Sequence, residues 1–231
     1  MKDLHNHSLY GIDDGAQTFE DSILILNKLE DEGVKEIVLT PHYIIGTSYN
    51  ANKEKREKRL KELQSKTNIK LYLGNEVFLD NDILDYIDRN EISTINGSRY
   101  ILIEFSLREK MPFDHELVFN LRKVGLVPII AHPERYSYYS IKDLEKFIEE
   151  GCLLQGNITS LMNKYGKYAK KRLIELIKKD MIFVFGTDTH RHNNINIKEC
   201  EKELEKIVSK ETFDRLINKN FDIIVNNEKI N

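Results

Sequence analysis

Residues 3–15 read Asp3-Leu4-His5-Asn6-His7-Ser8-Leu9-Tyr10-Gly11-Ile12-Asp13-Asp14-Gly15. A short apolar run delivers two imidazoles at its tip, and a glycine-bounded loop then returns two carboxylates. The same arrangement recurs along the chain. Asp14 lies in that first loop, and His42, Glu76, Glu104, His132, Asp188 and His190 each fall at or just beyond the end of another strand-like run. Imidazole nitrogen mixed with carboxylate oxygen, without thiolate, is the donor set of borderline and hard divalent metals. Nine such groups exceed what one ion can use, so the pattern implies a cluster of ions.

Seven short runs rich in apolar, β-branched or aromatic residues read as strands: Asp3–His5, Glu36–Thr40, Lys70–Gly74, Tyr100–Glu104, Val127–Ala131, Leu153–Gly156 and Ile182–Gly186. Helical patterns separate most of them. Thr18 and Asp21 form a capping box ahead of Phe19, Ile23, Leu26 and Leu29, and Gly33 stops that helix. Ser140 and Asp143 open another, with Leu144, Phe147 and Ile148 inward and Gly151 as the stop. Further helices are predicted over Lys53–Gln64, His115–Val124, Tyr168–Lys179 and Lys198–Val208. Strands alternating with helices specify parallel β/α units, and seven of them predict a closed or nearly closed α/β barrel formed by residues 1–231 as a single domain.

In such a barrel the loops at the carboxyl ends of the strands converge on one mouth. All nine candidates sit there in the proposed register. Strand six alone supplies no ligand, and its Gln155 and Asn157 are placed to hold ligands or waters by hydrogen bonds. Any one His or Glu alone reads more readily as a surface or capping group than as a ligand; the ordered set does not. His115 and His192 break the strand-end rule and are left out as ligands.

Composition narrows the function classes. A net charge of −3 gives no case for nucleic acid or an anionic membrane as a bulk partner. No run resembles a signal peptide or could span a bilayer, so a cytoplasmic location is expected. Cys152 and Cys200 read as ordinary packed thiols, and neither is followed by the Cys-x5-Arg loop of thiol-dependent phosphatases. The charged stretch Lys53–Lys66 reads as a solvated helix face.

The motifs His5-Asn6-His7, Gly11–Gly15, Ser98–Phe105, Ala131–Tyr136 and Asp188-Thr189-His190 together resemble the polymerase-and-histidinol-phosphatase (PHP) family. Within it they are similar to the manganese-dependent bacterial protein tyrosine phosphatases of capsule and exopolysaccharide synthesis. The resemblance implies a distorted (β/α)7 barrel with three metal ions at the C-terminal mouth of the strands. One ion would take His5, His7, Glu76 and Asp188; a second Glu76, Glu104 and His132; a third Asp14, His42 and His190. Mn²⁺ is the implied cofactor, with Fe, Zn or Mg as substitutes. Arg135 is the implied catalytic arginine, gripping phosphoryl oxygens. The implied reaction is hydrolysis of phosphotyrosine by a metal-bridging hydroxide, on the tail of a bacterial tyrosine kinase. Asp188 and His42 are the candidates for any general acid.

Some members carry a second arginine beyond the last Asp-x-His. This chain reads Arg191-His192-Asn193-Asn194-Ile195 there, which leaves Arg191, His192 or neither as a second phosphate contact. Tyr43 and Tyr49, with Tyr136, Tyr138 and Tyr139, are candidates to line a pocket for an aromatic ring. Two alternatives remain at this point: a small-molecule phosphomonoesterase of the histidinol-phosphatase type, or a non-catalytic PHP-like module of a nucleic-acid machine.

Overall fold

A computed structural model describes residues 1–193 and 195–230. In chain order the elements are β1 (Lys2–Asn6), α1 (Phe19–Asp31), β2 (Glu36–Leu39), β3 (His42–Tyr43), α2 (Lys53–Gln64), β4 (Lys70–Leu73), β5 (Glu76–Phe78) and α3 (Ile83–Asp88). There follow β6 (Tyr100–Glu104), α4 (Asp114–Lys123), β7 (Val127–Ala131), α5 (Ile141–Glu149), β8 (Leu153–Asn157), α6 (Gly166–Lys178) and β9 (Val184–Gly186). The chain closes with α7 (Ile197–Glu205), α8 (Lys210–Asp214), a π-helical turn at Arg215–Lys219 and α9 (Asn220–Val225).

Among the described residues every strand pairing is parallel, in the orders β1-β2-β4 and β3-β5-β6-β7-β8-β9. These are seven strand positions, two of them broken, where the sequence predicts seven unbroken ones. The break between β2 and β3 falls at Pro41, whose nitrogen cannot donate to a ladder. The break between β4 and β5 falls at Gly74-Asn75, and a Cβ on Gly74 would lie 2.7 Å from Ile95 Cδ1. Below the breaks β4 pairs with β2 and β2 with β1; above them β3 pairs with β5 and β5 with β6. The curl joins at the mouth, where Asp188 N–H donates to His5 O at 2.8 Å and His7 N–H to Thr189 O at 3.1 Å.

The pleat of β6 divides the core. Tyr100 and Leu102 join Leu4, Val38, Ile129 and Val184 in an inner cluster, while Ile101 and Ile103 face the helices with Ile25, Leu26, Phe147 and Leu173. Both predicted capping boxes form: Thr18 Oγ1 accepts from Asp21 N–H at 3.1 Å, and Ser140 Oγ from Asp143 N–H at 3.2 Å. Helix α2 corrects the solvated-face reading in part. Its Arg56 is fully buried, donating to Ala51 O, to Glu91 O at 2.7 Å and to Ser93 Oγ at 2.9 Å.

The sequence pattern does not predict the helices after α7, which close the end of the curl opposite the mouth. Phe221, Ile224 and Val225 of α9 pack into the inner cluster, and Asn220 donates to Phe183 O at 2.7 Å.

Candidate active site

The curl brings all nine sequence-predicted ligands to one mouth. Glu76, at the start of β5, is the hub. Its Oε2 lies 3.1 Å from His5 Nε2, 3.3 Å from His7 Nε2 and 3.0 Å from His42 Nδ1; its Oε1 lies 2.8 Å from His132 Nε2. Glu104, ending β6, reaches His132 Nε2 at 3.6 Å and His42 Nδ1 at 3.9 Å. Asp14 Oδ1 meets His190 Nε2 at 3.4 Å and His42 Nε2 at 3.6 Å. Asp188 Oδ1 lies 3.3 Å from His190 Nδ1 and 3.5 Å from His7 Nε2.

Donor atoms close enough to share an ion fall into three groups among the described residues: His5, His7 and Glu76; His42, Glu76 and Glu104; and His7, Asp14, His42 and His190. This differs from the allotment implied by resemblance: Asp188 and His132 fall outside all three groups, and two histidines are shared. His42 stands between two groups, and His7 also faces the Asp14 group.

Local backbone aims these side chains. His132 and Asp188 both adopt left-handed conformations, φ +36° and +51°, which few non-glycine residues take up outside turns. Each follows a strand closely, and the turn swings its side chain across the mouth. Gly15 lets the acidic loop lie against β1: a Cβ there would sit 2.1 Å from His7 O.

The donor set fits metal ions on the structure's own evidence. Gln155 Oε1 accepts from His5 Nδ1 at 2.8 Å, and Asp13 Oδ2 from His7 Nδ1 at 2.7 Å. Both rings therefore turn Nε2 inward, 3.0 Å apart and facing Glu76 Oε2; burial opposes charging these rings, but the surrounding carboxylates outweigh it and push both imidazoles up. A cation held there would take both nitrogens together with a Glu76 oxygen. Glu76 Oε2 and His42 Nδ1 are buried without a hydrogen-bond partner, although they are 3.0 Å apart. Burial and the neighbouring Glu76 carboxylate push Glu104 up to about 8, outweighing the opposing pull of His42 and Arg135. The hydrogen bond from His190 and the nearby imidazoles hold Asp14 down at about 2.

Arg135, in the 3₁₀ turn Pro133–Arg135 after β7, points into the same mouth. Its Nη1 donates to Asp188 Oδ2 at 3.2 Å, and its guanidinium lies 4.4 Å over the Tyr165 ring. The neighbouring Glu134 does not pair with it; that side chain is fully buried and accepts from Ser160 Oγ at 2.7 Å and Asn157 N–H at 3.1 Å. Asp188 Oδ2 also accepts from Asn157 Nδ2 at 2.8 Å and Tyr165 OH at 2.7 Å. Burial opposes ionisation of Asp188, but the surrounding imidazoles outweigh it and hold the carboxyl far below the usual range.

The tyrosine expectation needs correction. Tyr43 and Tyr136 are buried away from the mouth. In β3 the pleat that turns His42 to the site turns Tyr43 outward, where its OH donates to Glu91 at 3.0 Å. Tyr136 OH accepts from Phe105 N–H at 3.1 Å, beneath the site. Tyr138 OH donates to Ser106 O, and Tyr139 OH to Asp114 Oδ2 at 2.5 Å. Only Tyr49 of that set lines the mouth, stacked on His42 with centroids 6.1 Å apart. Arg191 lines it too, but donates to the carbonyls of Asp14 at 2.6 Å, of His190 at 3.0 Å and of Gly15. His192 is not among the lining residues.

The mouth encloses about 750 Å³, with Ile44, Tyr49, Leu107 and Met162 on its outer wall. Sequence reasoning misses Lys164 and Tyr165, which line it from the turn after β8. An aromatic and a base following the one strand without a ligand are the available signal.

A family model described as capsular polysaccharide synthesis, CpsB/CapC, matches residues 1–226. The chain belongs to this family. The CapC protein of Staphylococcus aureus is 34% identical over 201 residues, covering 84% of this chain and 78% of that one. Tyrosine-protein phosphatase YwqE of Bacillus subtilis is 29% identical over 246 residues, covering 100% and 93%. A crystal structure from the pair YwqE of Bacillus subtilis and CpsB of Streptococcus pneumoniae, described as metal-dependent tyrosine phosphatases, matches with TM-score 0.89 and 27% identity. It covers 100% of this chain and 96% of its own. The CpsB/CapC relationship thus extends over the whole curl and its mouth.

Proposed function

We propose that this CpsB/CapC-family chain is a metal-dependent protein tyrosine phosphatase acting in capsule or exopolysaccharide synthesis. The observation that carries the reading is the convergence of His5, His7, Asp14, His42, Glu76, Glu104, His132, Asp188 and His190 on one mouth with Arg135 across from them. In this reading residues 1–231 form one catalytic domain and work in the cytoplasm. The substrate is phosphotyrosine in a flexible protein segment, the tail of a bacterial tyrosine kinase, which can enter an open mouth without unfolding a domain.

The nine side chains would hold three ions, with Mn²⁺ favoured by the four carboxylates that harden the mixed set. Bound there, the ions would lower the pKa of a nucleophilic water and offset phosphoryl charge. The protein's own groups do the rest. Gln155 and Asp13 fix the His5 and His7 tautomers. Arg135 is oriented by Asp188 and the Tyr165 face to hold phosphoryl oxygens as charge moves to the leaving group. Tyr49, with Ile44 and Leu107, offers an apolar wall to the substrate ring. A phenol, with pKa about 10, leaves more readily than an alkoxide, so the site needs little proton donation.

The test compares kcat/KM for phosphotyrosine peptide, phosphoserine peptide and histidinol phosphate, with Mn²⁺ and after chelation. Phosphotyrosine should be preferred, and chelation should abolish turnover that Mn²⁺ restores. Preference for histidinol phosphate would overturn the substrate; full activity of verified metal-free protein would overturn the site.

A further inference from the structure

Of the three described Lys and Arg side chains lining the mouth, Arg135, Lys164 and Arg191, two are held for different ends. The Arg191 guanidinium is taken up by backbone carbonyls of the acidic loop. Arg135 stands over Tyr165. Lys164 is otherwise unassigned. Its stem is exposed along the rim while its ammonium turns in, donating to Asp188 O at 2.8 Å. It makes no ion pair among the described residues, so one carbonyl is matched against three N–H donors.

Its position matters as much as its spare donors. The ammonium lies 5.2 Å from the centroid of the same Tyr165 ring that carries the Arg135 guanidinium at 4.4 Å. Two cations sharing one aromatic platform repel each other across a partly desolvated rim. Backbone conformation holds them so: Asn163 at φ +61° and Gly166 at φ +88° bracket the two residues and turn both into the mouth. An arrangement of like charges facing an acidic cluster suits a ligand that is anionic towards the rim and can also meet ions held by the cluster.

Resting on the phosphatase reading, we propose that Lys164 is a phosphate-binding residue, forming with Arg135 a two-cation clamp on Tyr165 that grips the phosphoryl oxygens. Arg135 spans two oxygens with its planar fork, and Lys164 adds a point charge from the turn after β8. Tyr165 is a positioning residue: its ring supports both cations, and its OH ties the platform to Asp188.

The experiment uses the full Mn²⁺-loaded chain, with inorganic phosphate and a phosphotyrosine peptide as probes. Lys164→Met should raise the calorimetric dissociation constant of phosphate, and KM for the peptide, about ten-fold, the scale of one charge-assisted hydrogen bond. Lys164→Arg should recover most of that loss, with metal content and Tm matching the parent in both variants. Phosphate affinity equal to the parent's in Lys164→Met would overturn the clamp. So would a loss of metal shared by Lys164→Met and Lys164→Arg, since Lys164 would then be a structural tether for Asp188. A parent that binds phosphate through Lys164 yet leaves the peptide intact would sink the tyrosine phosphatase reading and keep the clamp.

Discussion

The two ends of the curled sheet are built on opposite principles. At the mouth, buried histidines and carboxylates crowd together, Glu76 Oε2 lacks a hydrogen-bond partner, and His132 and Asp188 sit in left-handed backbone. At the other end Phe221, Ile224 and Val225 fill the inner cluster against Leu4, Val38 and Leu102 in ordinary helical geometry. Burying unpaired polar groups and straining backbone both cost stability, so the mouth is assembled at the expense of the fold that supports it. The apolar end supplies what offsets that cost. Changes at the mouth should therefore appear in turnover, and changes at the plug in stability.

The largest expected effect is at the hub. Glu76→Gln keeps the shape but removes the charge that four facing imidazoles share, so kcat/KM for a phosphotyrosine peptide should fall more than ~10³-fold with loss of bound metal. Retention of parental metal content and turnover would break the contrast at its strongest point. Next comes Arg135→Ala, where loss of a single electrostatic contact should lower kcat by ~10²–10³ while metal content and Tm stay level. Parental turnover in that variant would make Arg135 a rim residue held by Asp188.

The plug gives the converse. Phe221 is fully buried between α9 and the inner cluster. Phe221→Ala should cost about 3–5 kcal/mol in denaturant unfolding, with turnover per folded molecule preserved. A variant that is as stable as the parent but inactive would show that the two ends are coupled.

How much of this is legible in the sequence follows the same division. The mouth can be read because chemistry restricts residue type: imidazoles and acids in that order at strand ends suit little besides metal binding. Its orientation cannot. Proximity to His42 and Arg135 along the chain places Tyr43 and Tyr136 at the pocket, but a two-residue strand and a tight turn reverse the side chain between neighbours. Breaks at Pro41 and Gly74-Asn75 stay hidden because the upper pieces, β3 and β5, are too short for any periodicity. The plug is illegible for a different reason. Its helices α8 and α9 have five and six residues, joined by a π-helical turn that shifts the apolar face out of the 3.6-residue repeat.

The smallest effect sharpens the comparison, because it lies on the border of the mouth. Glu134 is fully buried behind Arg135, its Oε1 satisfied by Ser160 and Asn157 and its Oε2 without a partner. Burial, only partly offset by those hydrogen bonds, pushes its carboxyl up to about 7. An acid whose folded value lies above its unfolded one, near 4.3, keeps its proton longer in the folded state. Its contribution therefore favours folding at low pH and is lost as pH rises from about 4.3 through about 7. Glu134→Gln removes the titration while keeping the shape and the acceptor oxygen. Relative to the parent its Tm should change little at pH 5 and rise by about 3 °C or more at pH 8, since each 1 kcal/mol moves a chain of this size by about 2–4 °C. Scanning calorimetry of both proteins at the two pH values is the check. Parallel Tm curves for the two would mean that Glu134 is already ionised at pH 5, paired with a cation that reaches it from the mouth, and the border between the charged and apolar halves would then lie one residue layer deeper.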